Sequence, residues 1–282
     1  MSEQPAIAMP DRQPPWREQR EFRRDIAALD EVFAYVRPLL QTSAIGEADA
    51  YAVLMAIEEL FTNMVKYNPA GSGQLGLEVE CSPVQVTCRL TDPDSDRFDM
   101  TSAPDADIHQ PVEQRRPGGL GIHLVRRMVD SLDYDYRGRC SRVSFSRILG
   151  SSATGENRAL FDTKAGQLDE PALICHPHAT NRETSMFEIG YGSDGVIAVS
   201  GRFDAAQCDK AQRFLDTADA PTTFDFAALE YISSAGLGVL LKVHKRLLAS
   251  GGRLRLVNVN KNIYDIFRFS GFDQVFDVAR AG

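Results

Sequence analysis

The stretch Phe224-Asp225-Phe226-Ala227-Ala228-Leu229-Glu230-Tyr231-Ile232-Ser233-Ser234-Ala235-Gly236-Leu237-Gly238-Val239-Leu240-Leu241 decides how the C-terminal part of this 282-residue chain folds. It leads from an apolar run into a pair of serines, after which apolar residues recur at helical spacing through Leu237, Leu240, Leu241, His244, Leu247 and Leu248. The pattern predicts a strand, a turn and an amphipathic helix that opens on Ser233 and Ser234. Serine favours helix starts because its side-chain oxygen accepts a free backbone N–H, so capping is the plain chemical reading of the pair. Strand signals at Met186 to Gly190, Val196 to Ser200 and Thr223 to Ala227 precede the helix. A strand (Leu254, Leu256, Val257, Val259) and a helix (Ile263, Ile266, Phe267) follow it. This alternation predicts a small α/β domain with a partly parallel sheet over residues 183–282.

Upstream, Ile26, Leu29, Val32, Phe33, Val36 and Leu40 predict a helix from Phe22 to Leu40. Leu54, Ile57, Phe61, Met64 and Val65 predict a second, ending near Asn68-Pro69-Ala70-Gly71. The period then changes to two: Leu75, Leu77, Val79 and Cys81, then Val84, Val86, Cys88 and Leu90 after Ser82-Pro83, which reads as an antiparallel hairpin. Asp92 to Pro117 shows no sustained period and reads as a long loop. A helix from Leu120 to Leu132 and strands at Asp133 to Arg137 and Arg142 to Ile148 complete a first domain, residues 18–149, with helices on one face of a sheet. Residues 1–17 read as a loose tail and 150–182 as a linker.

Two features of the first domain carry chemistry. Glu59 and Asn63 lie four apart and so share one helix face. A carboxamide oxygen suits Mg²⁺, and a carboxylate can take the proton of an attacking hydroxyl; on spacing alone, a solvated helix face is the plainer reading of the pair. Gly118-Gly119-Leu120-Gly121 runs into an amphipathic helix. Glycines let backbone approach phosphates, and a helix N-terminus offers free N–H groups; a capping turn is the plainer alternative.

Taken in order, these parts resemble the GHKL ATPase superfamily, and more narrowly the anti-sigma serine kinases, in which EELFTNMVKY and RRPGGLGIHLVRRMVD have close counterparts. The resemblance implies an α/β sandwich that binds ATP and Mg²⁺. It assigns Glu59 as general base, Asn63 as Mg²⁺ ligand, Asp92 as acceptor for the adenine amino group, and Gly119 and Gly121 as hinge glycines of the lid. Arg115 and Arg116 are the candidates for the terminal phosphate, with Pro117 at the nearest equivalent position. One departure stands out: in Asp92-Pro93-Asp94-Ser95-Asp96 an aspartate replaces the usual glycine, adding acids that would repel phosphates if they faced them. Downstream, YISSAGLGVLL resembles the phosphorylation loop of STAS-domain anti-sigma-factor antagonists, a small mixed sheet flanked by helices. Alignment on Gly236-Leu237 makes Ser234 the acceptor.

The formal charge of -8 argues against a nucleic-acid partner. No window approaches the about 18 apolar residues of a membrane span, and the polar N-terminus shows no signal pattern, so the reading is a cytoplasmic protein. Five scattered cysteines (Cys81, Cys88, Cys140, Cys175, Cys208) show no metal-ligand spacing and read as reduced. His123, and His176 with His178, lack the further ligands or partners that a site needs. The family resemblance implies protein partners, namely a sigma factor, an anti-sigma factor or another STAS-domain protein, together with homodimerisation. Two functional readings stay open: a partner-switching regulator whose kinase modifies a STAS serine in the same chain, a neighbouring chain or a separate protein, and a non-catalytic scaffold modified by another kinase. Fusion also permits the STAS domain to cover the surface that would otherwise hold a sigma factor.

Overall fold

The computed structural model describes residues 13–102, 106–107, 119–150, 186–192, 195–217, 223–249 and 251–281. Among them the chain builds two five-stranded sheets, each with its own helices.

The first sheet contains β1 (Trp16–Phe22), β2 (Leu75–Cys81), β3 (Gln85–Asp92), β4 (Ser131–Arg137) and β5 (Cys140–Ile148), in the order β1-β2-β3-β5-β4 with every neighbour antiparallel. The hairpin read from the period-two alternation forms, with Leu77 opposite Leu90 and Val79 opposite Cys88. Leu75, Leu77, Val79, Cys81, Val86, Cys88 and Leu90 are buried beneath α1 (Leu29–Thr42), α2 (Glu47–Tyr67) and α3 (Leu120–Met128), whereas Val84, read into the same alternation, precedes β3 and is exposed. The other sheet face carries polar residues such as Glu78, Arg89 and Arg142 around an open depression of about 360 Å³.

The first domain departs from the sequence reading at two helix ends and in one added strand. The first helix starts at Leu29, because Phe22 pairs with Leu75 in β1 and Asp25 then caps a single 3-10 turn, Ile26–Ala28. β1 itself was not anticipated: it is an edge strand whose sequence, WREQREF, is mostly charged. α3 stops at Met128 rather than Leu132, since Val129 is extended and the Asp130 N–H donates to Ser146 O of β5 at 2.8 Å, which captures the chain as a strand.

The second sheet runs β10-β9-β8-β7-β6, where β6 is Glu188–Tyr191, β7 Ile197–Phe203, β8 Thr223–Ile232, β9 Arg255–Val259 and β10 Asp277–Arg280. β7 to β10 pair in parallel and β6 antiparallel, a mixed sheet. Its helices are α4 (Cys208–Thr217), α5 (Ser234–Ala249) and α6 (Lys261–Phe269); α4 was not foreseen, having only Ala211 and Leu215 buried.

α2 explains how the halves sit together. Tyr51 through Thr62 is buried without interruption, whereas a helix with one solvent face would alternate. One side packs on the first sheet and the other on the second unit. Tyr231 of β8 lies in this junction, its ring 5.0 Å from that of Tyr51 and 5.4 Å from that of Phe33. The Arg202 guanidinium sits 4.1 Å over the Phe33 ring and pairs with Asp30 and Asp204. Arg37 pairs with Glu230 at 3.5 Å, and His123 Nε2 lies 3.1 Å from Phe269 O.

Candidate functional site

The turn between β8 and α5 is shaped by close approach. Ser233 is fully buried; its N–H donates to Phe203 O at 3.1 Å and its Oγ accepts from the Gly236 N–H at 3.4 Å. A Cβ on Gly236 would stand 2.9 Å from Phe203 O, so only glycine lets α5 start this near β7. Ser233 therefore takes the capping duty that the sequence left shared between two serines. Ser234 is left to face α2.

There it meets Glu59. The Ser234 N–H donates to Glu59 Oε1 at 2.9 Å, which sets the Ser234 side chain beside the same carboxylate. Two residues singled out in separate domains, 175 positions apart, thus touch. Burial pushes the Glu59 carboxyl above its ordinary range, while the bonds from Ser234 and the charge of Lys66 act the other way. A carboxylate so raised is a better proton acceptor near neutral pH.

Gly121 closes the third side. A Cβ there would fall 2.2 Å from Glu59 Oε2 and 3.4 Å from Ser234 Oγ, so the α3 backbone lies directly against the pair. Gly119 starts α3 with a left-handed φ of 81°, no side chain caps the helix, and nothing lies within 4 Å of a Cβ at that position. Asn63 is half-buried one turn beyond Glu59 on α2. Two turns along, the rings of Tyr67 and Phe98 pack 4.6 Å apart at the surface. Arg116 and most of the expected lid lie outside the described residues, as do His176 and His178.

Asp92 lies elsewhere in the groove and is fully committed. Arg24 donates to both its oxygens, at 2.7 and 2.5 Å, the Asn68 amide donates at 3.0 Å and the Asp94 N–H at 3.1 Å. Burial pushes the Asp92 carboxyl up, but those hydrogen bonds outweigh it and hold the group below its ordinary value. Asp94 stands in the place of the missing glycine. Its carboxylate accepts from the Ser72 N–H and hydroxyl and from Arg139, which hold it well below the usual range. Arg139 also pairs with Asp96, so the added acids are matched locally.

Beside Glu59, sequence reasoning missed Glu58. It is fully buried and its oxygens accept from two groups of the other unit, the Ala205 N–H at 2.8 Å and the Tyr231 hydroxyl at 2.6 Å. Burial, with Asp204 and Glu59 nearby, pushes its carboxyl up to about 8 against the pull of those two bonds. Tyr51, seven residues earlier on the same helix face, donates to Ile232 O at 3.1 Å and accepts from the Ile232 N–H at 3.2 Å.

Residues 22–147 match the histidine kinase-like ATPase domain family and residues 189–281 the STAS domain family. The chain is a GHKL-like ATPase domain fused to a STAS domain. Among curated proteins, the chain is 39% identical over 77 residues to BtrV of Bordetella bronchiseptica, a candidate anti-sigma factor antagonist; the match covers 27% of this chain and 60% of BtrV. Among solved structures, the RsbU and RsbW domains of a Mycobacterium tuberculosis protein share 14% identity at a TM-score of 0.36, over 48% of this chain and 33% of that one. The Bacillus cell fate determinant SpoIIAA in its phosphorylated form shares 25% identity at a TM-score of 0.28, over 33% of this chain and 91% of that one. The SiaB-SiaC complex from Pseudomonas aeruginosa shares 14% identity at 0.36, over 46% and 88%.

The ATPase fold implies ATP, typically with Mg²⁺. The residues at the phosphate end suit it: an uncapped helix start behind a left-handed glycine, a Gly121 position that excludes any side chain, and the hard amide oxygen of Asn63. Asp92, which the family resemblance assigns to the adenine amino group, has both oxygens taken by Arg24.

Proposed function

We propose that the ATPase-like domain is a protein-serine kinase whose substrate is the STAS domain of the same chain, and that Ser234 is the residue modified. The observation that carries this reading is the Ser234–Glu59 contact, in which the acceptor residue donates its N–H to a buried carboxylate and so holds its hydroxyl beside it. Glu59 takes the hydroxyl proton as Ser234 Oγ becomes the nucleophile. Bound magnesium ATP supplies the γ-phosphoryl group, which forms its new bond to Oγ as the bond to ADP breaks. Asn63 would hold the metal and the first N–H groups of α3 would bind the phosphates, with Arg116 assigned to the terminal one by the family resemblance. Gly121 keeps α3 close against Glu59 and Ser234.

Phosphorylation adds about -1.5 to -2 charge at Ser234. That charge arises against Glu59, with Glu58 and Asp204 nearby, so the product form is expelled from the docked position. The expelled domain and the uncovered kinase face then meet other partners, which makes the chain a partner-switching regulator of a sigma factor or a comparable output.

Intact-protein mass after incubation with magnesium ATP tests this reading. Wild type gains one phosphate, at a rate independent of protein concentration, whereas Glu59→Ala and Ser234→Ala gain none. Equal uptake in Glu59→Ala removes the kinase assignment. A rate proportional to concentration removes the same-chain assignment.

A further inference from the structure

Glu58 serves no evident purpose within its own domain. It is fully buried on α2, and both its oxygens are used by the STAS domain: Oε1 accepts the Ala205 N–H at 2.8 Å and Oε2 the Tyr231 hydroxyl at 2.6 Å. Burying a carboxylate is costly, and here the cost is offset only by groups that leave when the STAS domain leaves. Tyr231 lies on β8, the strand that carries Ser234 to Glu59, and Ala205 lies in the turn that follows the neighbouring β7. The two consecutive glutamates divide the work: Glu59 holds the acceptor residue and Glu58 holds what surrounds it.

We propose that Glu58 is a positioning and specificity residue: it selects an antagonist domain with a tyrosine three residues before the acceptor serine, and seats that serine on Glu59. Tyrosine fits for physical reasons. Its ring fills the apolar gap between Phe33 and Tyr51, and its hydroxyl reaches through that gap to Glu58. Phenylalanine fills the same gap but leaves the glutamate short of a donor, and an unpaired buried acceptor is penalised. A smaller side chain leaves both a void and the unmet carboxylate. The Ala205 N–H reports the second landmark, the turn that follows β7, so Glu58 reads two points of the STAS surface. A domain that satisfies both has its α5 start in register with Glu59.

This inference rests on Ser234 being the acceptor, yet docking is measurable without phosphoryl transfer. Hydrogen exchange at the Ala205 and Ser234 amides of the full chain reads docking, and phosphate uptake reads transfer. Tyr231→Phe raises exchange at both amides and slows uptake about tenfold, because the buried hydrogen bond between Tyr231 and Glu58 is lost. Glu58→Ala does so by about tenfold to 100-fold, leaving the Tyr231 hydroxyl and Ala205 N–H unmet. Glu58→Gln retains docking, since its amide oxygen accepts from Ala205 and its NH₂ donates to the tyrosine oxygen; this rescue separates recognition from mere packing. Glu58→Ala and Tyr231→Phe added together produce little more than the larger single effect. Unchanged amide exchange in both single variants overturns the proposal whatever uptake does. Exchange that responds as stated while wild type takes up no phosphate supports Glu58 as the docking residue and refutes the kinase reading alone.

Discussion

Gly121→Ala puts the site geometry to its most direct test. The added methyl would lie 2.2 Å from Glu59 Oε2 and 3.1 Å from its Cδ, where ordinary contact begins near 3.4 Å. The carboxylate must retreat by roughly 1 Å or α3 must lift away, because a close-packed interior does not absorb the overlap. Either movement separates Glu59 from Ser234, and a displacement of about 1 Å at a reacting group reduces rate by about 100-fold. Overpacking itself costs about 1–3 kcal/mol of stability. The assay is phosphate uptake by intact mass over time, alongside urea unfolding. Gly238→Ala is the control: nothing lies within 4 Å of its Cβ, so it leaves uptake unchanged and gains up to about 1 kcal/mol from helix propensity. Wild-type uptake and stability in Gly121→Ala would refute the close approach of α3 to the Glu59–Ser234 pair.

Two further outcomes follow from charge. Glu58 sits among Glu59, Asp204, Tyr51, Tyr231, Arg202, Cys208 and Lys66, and in the docked form burial pushes its carboxyl from the ordinary carboxylate range up to about 8. The docked form therefore binds the extra proton: its advantage is complete below the released value and is lost as pH rises through about 8. Docking read by amide exchange weakens by up to about tenfold per pH unit between pH 6 and 8, and Glu58→Gln flattens that slope; a flat wild-type profile contradicts the linkage. Arg24→Met frees Asp92 from its guanidinium, so calorimetry should show ADP binding about tenfold tighter while thermal unfolding loses about 3 kcal/mol from the broken buried pair; weaker binding would mean that Arg24 serves the nucleotide rather than competing with it.

Local periodicity made most of the fold readable. The β2–β3 hairpin alternates strictly because one face is covered and the other wet, and α5 follows a strand with serines where a cap belongs. β1 escaped because an edge strand with charged residues on both faces carries no apolar period. α4 escaped because only two of its residues enter the core. At the site, Glu59 and Asn63 were legible through their spacing on one helix, and Ser234 through the motif around it. Glu58 was not, because its partners lie 147 and 173 residues downstream and no local pattern announces them. The hold of Arg24 on Asp92 was hidden for the same reason, across 68 residues. What remained unread was whatever the meeting of two distant segments creates.

α2 has no side adapted to water along Tyr51 to Thr62. When the STAS domain departs, Tyr51, Met55, Glu58 and Glu59 lose their cover together, and an apolar strip broken by two acids faces solvent. Water is the poorest competitor for such a strip. The open form is then less a resting state than an unfilled seat, and signalling by this chain takes the character of substitution: one protein surface replaces another, with the strength of the signal set by how well the newcomer matches the occupant it displaced.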